Sequence, residues 1–466
     1  MNAPDTYRFA PGGSKGLLLG LTGLQVGLIG GGLGAALAAV MALHSVVLGL
    51  GVLGVVSGWT WLPVSGRPVH AWSAPVASKL LGRRRAAAPL AVHARPQRSA
   101  HPIARFSGAP ALPGLGRLRI EQAPGEGAPI GLARLGRQAS FTLAVAGPSF
   151  ALADRADQAG VIGAWAGVLA SCAAGSLRRL QLTERVISEP GRDQAAWLAS
   201  VERGADPSAL GIYRAHLDRL LRVAARHELY LSAVVSRPDA ATDECGGLVQ
   251  ALEAGGFGAR ALGPDELGGL VASILTPDVG GGPEGCSGSS PGPRSWARSW
   301  SQIRTEGVCH ACFEAAELPR VPVGPDWAWP VVTAEVSPGV RTMALHIELV
   351  APEAGLRRAE RAALGVEGDA ALRDRWGFRS GARQASVVAA ITEREAELAG
   401  GLPDARFALV AAVAGPSPEA AEDAARAFVA GAARAQISLR RLHGRQAEGL
   451  GALVPAVGLH LGNGGA

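Results

Sequence analysis

An uncharged stretch of 51 residues, 16–66, constrains the fold of this chain more than any other feature. A membrane-spanning helix needs about 20 apolar residues, so the stretch is long enough for two such helices. Its most polar point near the middle is at His44 and Ser45. A signal peptide has an apolar region of only about 7–15 residues, and core helices rarely exclude charge over such a length. The stretch therefore predicts a transmembrane hairpin with helices at 19–42 and 46–62.

Basic residues flank this stretch on both sides, and they predict its orientation. Because positively charged flanks stay in the cytoplasm, both ends of the hairpin are expected there, in a multi-pass protein of the cell membrane. Tryptophans at the second exit fit an aromatic belt at the membrane surface. The residues predicted to set topology or contact lipid are Lys15, Arg67, Lys79, Arg83, Arg84, Arg85, Trp59, Trp61 and Trp72.

Glycine recurs along both predicted helices, and small residues at helical spacing let helix backbones approach closely. The spacing indicates packing within the hairpin or against partner helices. The glycine and alanine content of the whole chain explains the pattern nearly as well. The glycines are Gly16, Gly20, Gly23, Gly27, Gly30, Gly34, Gly51, Gly54 and Gly58.

The net charge of +6 is divided unequally along the chain. Residues 1–120 carry 12 basic residues and one acidic residue, whereas the remainder is mildly acidic. Basic charge next to the apolar stretch suits contact with anionic lipid. An acidic body argues against direct binding of nucleic acid. The five cysteines, an odd number in a cytoplasmic body, predict free thiols.

The predicted fold class is membrane-anchored α+β, with a two-helix transmembrane hairpin followed by a cytoplasmic body of duplicated split-βαβ, ferredoxin-like units. The body alternates strand and helix patterns, and a Gly/Ser/Pro-rich segment divides it. The predicted segments are a cytoplasmic lead at 1–15, the hairpin at 16–66, a basic juxtamembrane linker at 67–115, a first α+β domain at 116–276, a loop at 277–300 and a second α+β domain at 301–466.

An internal repeat supports the duplication. The sequence Ala-Val-Ala-Gly-Pro-Ser follows a predicted strand at 144–149 and again at 412–417. A predicted helix and then Ser-Leu-Arg-Arg-Leu come next in both places, at 176–180 and 438–442. Proline and serine suit the start of a helix, and such a helix crosses to a second strand of the same sheet. The shared order predicts two related split-βαβ units.

Motifs that carry catalysis are not found. The sequence has no Gly-Lys dipeptide and hence no phosphate-binding Walker A loop. The best candidate is Cys309-His310-Ala311-Cys312, which supplies at most three of the four ligands that structural zinc requires. The alternation of this segment favours a strand with buried thiols over a metal or redox site. His44 is interpreted as a turn residue of the hairpin. The sequence therefore predicts no enzyme, no cofactor and no metal site.

The chain resembles an actinobacterial membrane protein family in which a PrgI-like hairpin precedes a body similar to the N-terminal, non-motor part of conjugation and type IV secretion ATPases. The motor domain that follows the Arg-Gln-Ala segment in such ATPases is not in this sequence. The segments that carry the resemblance are 7–9, 16–20, 64–85, 180–185, 305–313, 318–325 and 439–447.

The resemblance implies a non-catalytic membrane subunit of a type IV-like conjugation or secretion apparatus, acting as a platform that docks a separate ATPase. Its expected partners are that ATPase, other subunits of the machine and the lipid bilayer, within an oligomeric complex. One alternative is a membrane subunit of a type VII secretion system, which also pairs two N-terminal helices with a soluble domain. A further alternative is a membrane-bound metal or thiol-redox protein that uses Cys309 and Cys312.

Overall fold

A computed structural model gives the fold of the chain. It describes residues 23–64, 67–72, 118–123, 129–188, 192–201, 206–221, 225–279, 295–319, 321–334, 339–350, 352–375, 382–400 and 403–455, together with positions 6, 7, 9, 76, 104, 105, 112, 115 and 293.

The main feature is a sheet of 13 strands, and within the described residues each pair of neighbouring strands is antiparallel. Two short strands, β1 (Pro63–Val64) and β2 (Arg67–Pro68), pair separately. The sheet strands are β3 (Ala104–Arg105), β4 (Leu118–Gln122), β5 (Gly131–Leu135), β6 (Gln138–Ala146), β7 (Arg179–Ser188), β8 (Ala225–Val234), β9 (Gly258–Ala261), β10 (Trp296–Arg298), β11 (Ile303–Thr305), β12 (Val308–Glu317), β13 (Val340–Val350), β14 (Asp404–Gly415) and β15 (Ser438–Arg441).

Twelve α-helices lie in the described ranges. The first two form the N-terminal hairpin, and most of the others follow strands of the sheet. They are α1 (Gly23–Leu43), α2 (Val46–Trp61), α3 (Arg155–Ala174), α4 (Arg192–Val201), α5 (Pro207–Leu221), α6 (Ala241–Ala254), α7 (Pro264–Leu275), α8 (Trp329–Val332), α9 (Pro352–Arg375), α10 (Ala382–Ala399), α11 (Pro418–Arg434) and α12 (Gln446–Ala452).

The sheet contains two units of the same topology. In the first unit β6, β7, β8 and β9 follow one another in the chain and lie side by side in the order β9-β6-β8-β7. In the second unit β12, β13, β14 and β15 lie in the corresponding order β15-β12-β14-β13. Numbered within each unit, the order is 4-1-3-2, and a helix follows the first and third strands. Each unit is therefore a split βαβ arrangement.

The two units join edge to edge along their second strands. β7 and β13 pair antiparallel from Arg179 opposite Glu348 to Ile187 opposite Val340. We call this junction the seam. It lengthens both units into one continuous sheet and leaves neither second strand as an open edge. The predicted domain boundaries at 116–276 and 301–466 enclose the two units and stay predictions.

Hydrophobic cores lie on both faces of the sheet because side chains alternate along each strand. On one face, α3 and α6 cover Phe141 and Leu231 of the first unit. On the same face, α8 and α11 cover Phe313 of the second unit. The opposite face has one core that spans both units, in which α7 and α12 take part.

The repeated sequence motif pairs non-equivalent halves of the two units. The first copy joins β6, the first strand of its unit, to α3 and β7. The second copy joins β14, the third strand of its unit, to α11 and β15. A split βαβ unit is itself made of two βαβ halves, so either half of one unit resembles either half of the other. The predicted alignment was therefore displaced by half a unit.

The predicted transmembrane hairpin is wrong, and with it the membrane-anchored fold class and the predicted location in the cell membrane. Within the ranges that the structure describes, no helix combines the length and the apolarity needed to cross a bilayer. α2 has 16 residues, a length of about 24 Å against a hydrocarbon core of about 30 Å. In α1, 11 of 21 residues are glycine or alanine, which add little apolar surface.

Candidate functional site

The N-terminal hairpin is the candidate site because its surface lacks charged groups and is largely uncovered. Its turn falls at His44 and Ser45, as predicted, with His44 in the left-handed region at φ 51°. Ser45 caps α2, and its Oγ accepts a hydrogen bond from the backbone N–H of Leu48 at 3.4 Å. The uncharged segment therefore folds as two antiparallel helices with a capped turn.

Two glycines hold the helices close together. A Cβ at Gly32 would lie 2.6 Å from the Cγ1 of Val56, and one at Gly49 would lie 2.5 Å from the Cγ2 of Val40. Each position is thus occupied by the opposite helix. The backbone of α1 also lies against Gly49, through the carbonyl oxygen of Ala36. Neither glycine is among those named in the sequence prediction. A Cβ at the predicted positions Gly27, Gly30, Gly34, Gly51 or Gly54 would meet no described atom within 4 Å.

The outward surface of the hairpin is apolar and exposed. Eleven of its large side chains have an exposed fraction between 48% and 80%. Together they present on the order of 1,000 Å² of apolar surface, above the few hundred Å² of a typical monomer patch. A patch of this size marks an interaction surface. The side chains are Leu33, Leu37, Met41, Val46, Val47, Leu48, Leu50, Val55, Trp59, Trp61 and Leu62.

The segment before the hairpin is attached to the second unit. Tyr7 and Val323 form an antiparallel bridge, with N–H···O distances of 2.8 and 2.9 Å in the two directions. Phe9 packs edge-on against Trp327, with ring centroids 4.8 Å apart. The chain entering the hairpin is thus held by two backbone hydrogen bonds and an aromatic contact.

The exit of the hairpin is attached to the same unit through three aromatic rings. Trp72, which follows β2, stacks on Trp300 at a centroid distance of 5.8 Å. The ring of His443 lies 6.1 Å from Trp300 and 6.2 Å from Trp72. The N–H of Gly444 donates to the carbonyl of Trp300 at 2.8 Å, which holds the two loops together. The segment that leaves the hairpin is therefore held against the second unit.

The seam carries a buried arginine on each face of the sheet. On the face of the shared core, Arg185 donates to Glu228 at 2.6 Å and to the carbonyl of Ser273 at 3.2 Å. Burial lowers the pKa of Arg185, although Glu228 opposes this change. Burial also raises the pKa of Tyr230, whose hydroxyl donates to Glu228 at 3.2 Å. These contacts join β7 and β8 to α7. Arg185, Glu228 and Tyr230 therefore have a structural role.

On the opposite face, Arg341 is fully buried beside Glu184. Its guanidinium donates to the carbonyls of Val332 and Ala334, at the end of α8, and lies 5.8 Å from the ring centroid of Phe428. Burial lowers the pKa of Arg341. Its partners are backbone carbonyls and one carboxylate of the protein itself, so this arginine anchors α8 to the seam.

The C-terminal residues of the described chain cross from the second unit to the first. Gln181 of β7 donates to the carbonyl of Leu453 at 3.1 Å, and the hydroxyl of Ser140 of β6 donates to that of Pro455 at 3.2 Å. Leu453 and Val454 are buried. This segment reinforces the seam over the shared core.

The Cys-His-Ala-Cys segment forms part of β12, as the strand interpretation predicts. Cys309 and Cys312 are free, and both are buried. Burial raises the pKa of Cys312 to about 12, so its thiolate is strongly disfavoured at neutral pH. His310 bonds to Thr305 rather than to a second metal-binding group. Among the described residues, no cluster of three metal-binding side chains occurs.

The residues predicted for topology and lipid contact have diverse positions. Trp59 and Trp61 are exposed on α2, whereas Trp72 packs on the second unit. Arg67 begins β2. The other predicted residues, Lys15, Lys79, Arg83, Arg84 and Arg85, lie outside the described residues. Sequence reasoning missed the partners of Trp72, because Trp300 and His443 are more than 200 residues away in the chain.

Comparison with known proteins gives no assignment. No family model matches the sequence, and no curated protein matches it. The resemblance to the family with a PrgI-like hairpin stays a prediction.

Proposed function

We propose that the chain is a non-catalytic subunit of a type IV-like conjugation or secretion apparatus, in which it docks a separate ATPase. One observation carries the proposal: an uncharged hairpin with a large exposed apolar surface is attached to the second unit through the segment that follows it, at Trp72. Exposed apolar surface of this extent marks an interaction site, and a subunit that docks on it would remove it from water.

The body supports a structural role. Its buried charged groups at the seam bind each other or backbone carbonyls. The extended sheet, with helices fixed on it, suits a scaffold that holds the hairpin in a defined position. The thiol-redox alternative is disfavoured because burial raises the pKa of both Cys309 and Cys312.

Capture of partners from the native host tests the proposal. The tagged full chain is purified in mild detergent, and the proteins that bind it are identified by mass spectrometry. We expect a hexameric-type conjugation or secretion ATPase among them. Type VII core components in its place would favour the type VII alternative. Recovery of the chain alone, or nucleotide hydrolysis by the purified chain, would contradict the proposal.

A double variant makes the capture experiment specific to the hairpin. Val47→Ser with Val55→Ser changes two side chains of α2 that are 80% and 71% exposed. Capture of the apparatus subunits should fall at least several-fold, while folding is retained. Leu152→Ser is the matched control, since Leu152 is 90% exposed outside the hairpin. If Leu152→Ser reduces capture of the apparatus subunits equally, capture depends on exposed apolar side chains in general and not on the hairpin.

A further inference from the structure

A short segment near the start of the chain lies on the second unit in the way that a bound peptide does. The backbones of Tyr7 and Val323 exchange two hydrogen bonds, at 2.8 and 2.9 Å. Their bridge lies outside the named strands. Phe9, two residues after Tyr7, packs edge-on against Trp327. Pairing of an extended segment with a backbone edge, with alternate side chains in contact with the receiving surface, is a recurring mode of peptide recognition.

The residues that receive this segment are held in place by the second unit itself. The turn that presents Trp327 is closed by a hydrogen bond from its N–H to the carbonyl of Gly324 at 3.3 Å. A second bond joins the N–H of Trp329 to the carbonyl of Asp326 at 2.9 Å. Trp327 also packs against the hydrophobic core in which α8 and α11 take part. The position of Trp327 therefore does not depend on the segment that lies on it.

The segment makes few contacts and leaves part of the receiving surface uncovered. Tyr7 and Phe9 are half-buried, and neither is among the described core residues. Val321 and Trp329, each two residues from a contact point, are 50% and 51% exposed. A segment that also covered these two side chains would bury more apolar surface and bind more tightly. The surface therefore suits a larger occupant than residues 6–9.

Release of the segment leaves the described contacts of the hairpin in place. Thirteen residues, 10–22, lie between Phe9 and the start of α1. The stacking of Trp72 on Trp300 involves neither Tyr7 nor Phe9. A segment joined through a linker competes for its site at an effective concentration on the order of 1 mM. A segment of another subunit displaces residues 6–9 when its affinity overcomes that competition.

We infer that residues 321–329 form a recognition site for an extended segment of another subunit, with aromatic side chains at alternate positions, and that residues 6–9 occupy the site until that segment displaces them. The chemistry of the partner follows from the present occupant, which bonds to the backbone of Val323 and places an aromatic ring on Trp327. The inference deepens and rests on the proposed function, because the partner is a subunit of the proposed apparatus.

Binding of a labelled peptide tests the inference. The probe is a fluorescent peptide with the sequence of residues 1–9, and its polarisation is measured against the full chain. In the variant Tyr7→Ser with Phe9→Ser, the chain's own segment no longer competes for the site. The peptide should therefore bind this variant at least ten-fold more tightly than the unchanged chain. The same peptide with both aromatic residues replaced by serine is the matched control and should bind at least ten-fold more weakly.

A change on the receiving side assigns the binding to this site. Trp327→Leu, added to Tyr7→Ser and Phe9→Ser, keeps an apolar side chain against the core and removes the ring, so the affinity for the peptide should fall at least several-fold. Trp197→Leu in the same background, at a tryptophan of α4 that is 53% exposed, is the control and should leave the affinity unchanged. The serine peptide requires no change in the receiving surface, so the test stands even where Trp327→Leu lowers stability.

Amide exchange in the captured assembly tests the displacement. In the chain alone the N–H groups of Tyr7 and Val323 are both hydrogen bonded, so both should be protected. With the partner segment bound, the N–H of Tyr7 should exchange at least ten-fold faster, whereas the N–H of Val323 stays protected by the new occupant. Equal protection of Tyr7 in the assembly and in the free chain would contradict displacement.

Three outcomes of the peptide assay would each overturn the inference: equal affinity for the unchanged chain and for Tyr7→Ser with Phe9→Ser, no binding to either, or equal affinity of the serine peptide. The peptide assay needs no other subunit, so its failure leaves the capture result and the proposed function intact. Peptide binding without capture of any apparatus subunit would instead contradict the proposed function.

Discussion

His310 shows how a residue that suggests a site can be structural. Its Nε2 lies 2.8 Å from the hydroxyl of Thr305, which donates to the carbonyl of Leu275 at 2.6 Å. Since that hydroxyl has one hydrogen, His310 donates from Nε2 to Thr305. The contacts join β12 and β11 of the second half to the end of α7. Burial lowers the pKa of His310 to about 4.

This lowered pKa predicts acid sensitivity. The unfolded chain binds a proton at His310 near pH 6.5, whereas the folded chain does so only near pH 4. Stability is therefore complete above pH 6.5 and falls as the pH drops towards 4, by up to about 3 kcal/mol. Urea unfolding at pH 7.5 and 5 measures the loss. His310→Gln should remove this component, and His216→Gln on α5 is the control. An unchanged pH dependence in His310→Gln would contradict the assignment.

The cysteines give a second prediction at the scale of residues. Burial raises the pKa values of Cys172 and Cys245 to about 11 and that of Cys312 to about 12. We expect these thiols to resist iodoacetamide at pH 8 in the native chain and to react after denaturation. Peptide mass spectrometry reads the modification at each position. Rapid native labelling of Cys312 would revive the thiol-redox alternative.

At the scale of elements, the sequence predicted whether a segment is a helix or a strand better than it predicted where that element begins and ends. The sequence predicts a strand over 340–350, and β13 has that range. The break between α1 and α2 falls where the polar residues His44 and Ser45 indicated. The sequence also predicts a long helical stretch over 369–399. The structure has two helices in this region, α9 and α10, and the first begins at Pro352. Because proline suits the first turn of a helix, the sequence itself indicates that α9 can begin at Pro352. The short strand β9 depends on pairing with β6, which lies more than 100 residues earlier in the chain, and periodicity does not encode such pairing. β10 and β11 have three residues each, too few for a period of two to be recognised.

The contact between Trp72, at the exit of the hairpin, and Trp300 was likewise not predictable from the sequence. A substitution at Trp72 tests its role. Trp72→Ala removes the stacking of the exit segment on Trp300, an interaction worth about 1 kcal/mol beyond its buried area. Amide exchange in α2 should become roughly five-fold faster. Trp61→Ala, at a position 63% exposed, is the control. Unchanged exchange in Trp72→Ala would show that the hairpin is not held through its exit.

At the scale of the whole molecule, the seam makes one sheet of two units. Nine residue pairs join β7 to β13, the core of one face spans both units, and Leu453 and Pro455 bond to the first unit. The repeat in the sequence indicated two related units but not their junction, because an edge-to-edge pairing leaves no mark in local periodicity.

The continuous sheet predicts cooperative unfolding. Separating the units would break the ladder between β7 and β13 and expose the apolar core that spans both units, at a cost of at least several kcal/mol. We therefore expect the two units to unfold in a single calorimetric transition, with equal calorimetric and van't Hoff enthalpies. Two resolved transitions would indicate that the seam is weaker than its contacts imply.

The decisive experiment is deletion of the chain's gene in its native host, with transfer of DNA and secretion of proteins measured. We expect transfer or secretion to be lost. The unchanged chain should restore it, whereas Val47→Ser with Val55→Ser should not. Intact transfer and secretion in the deletion strain would contradict a role as an essential subunit of such an apparatus.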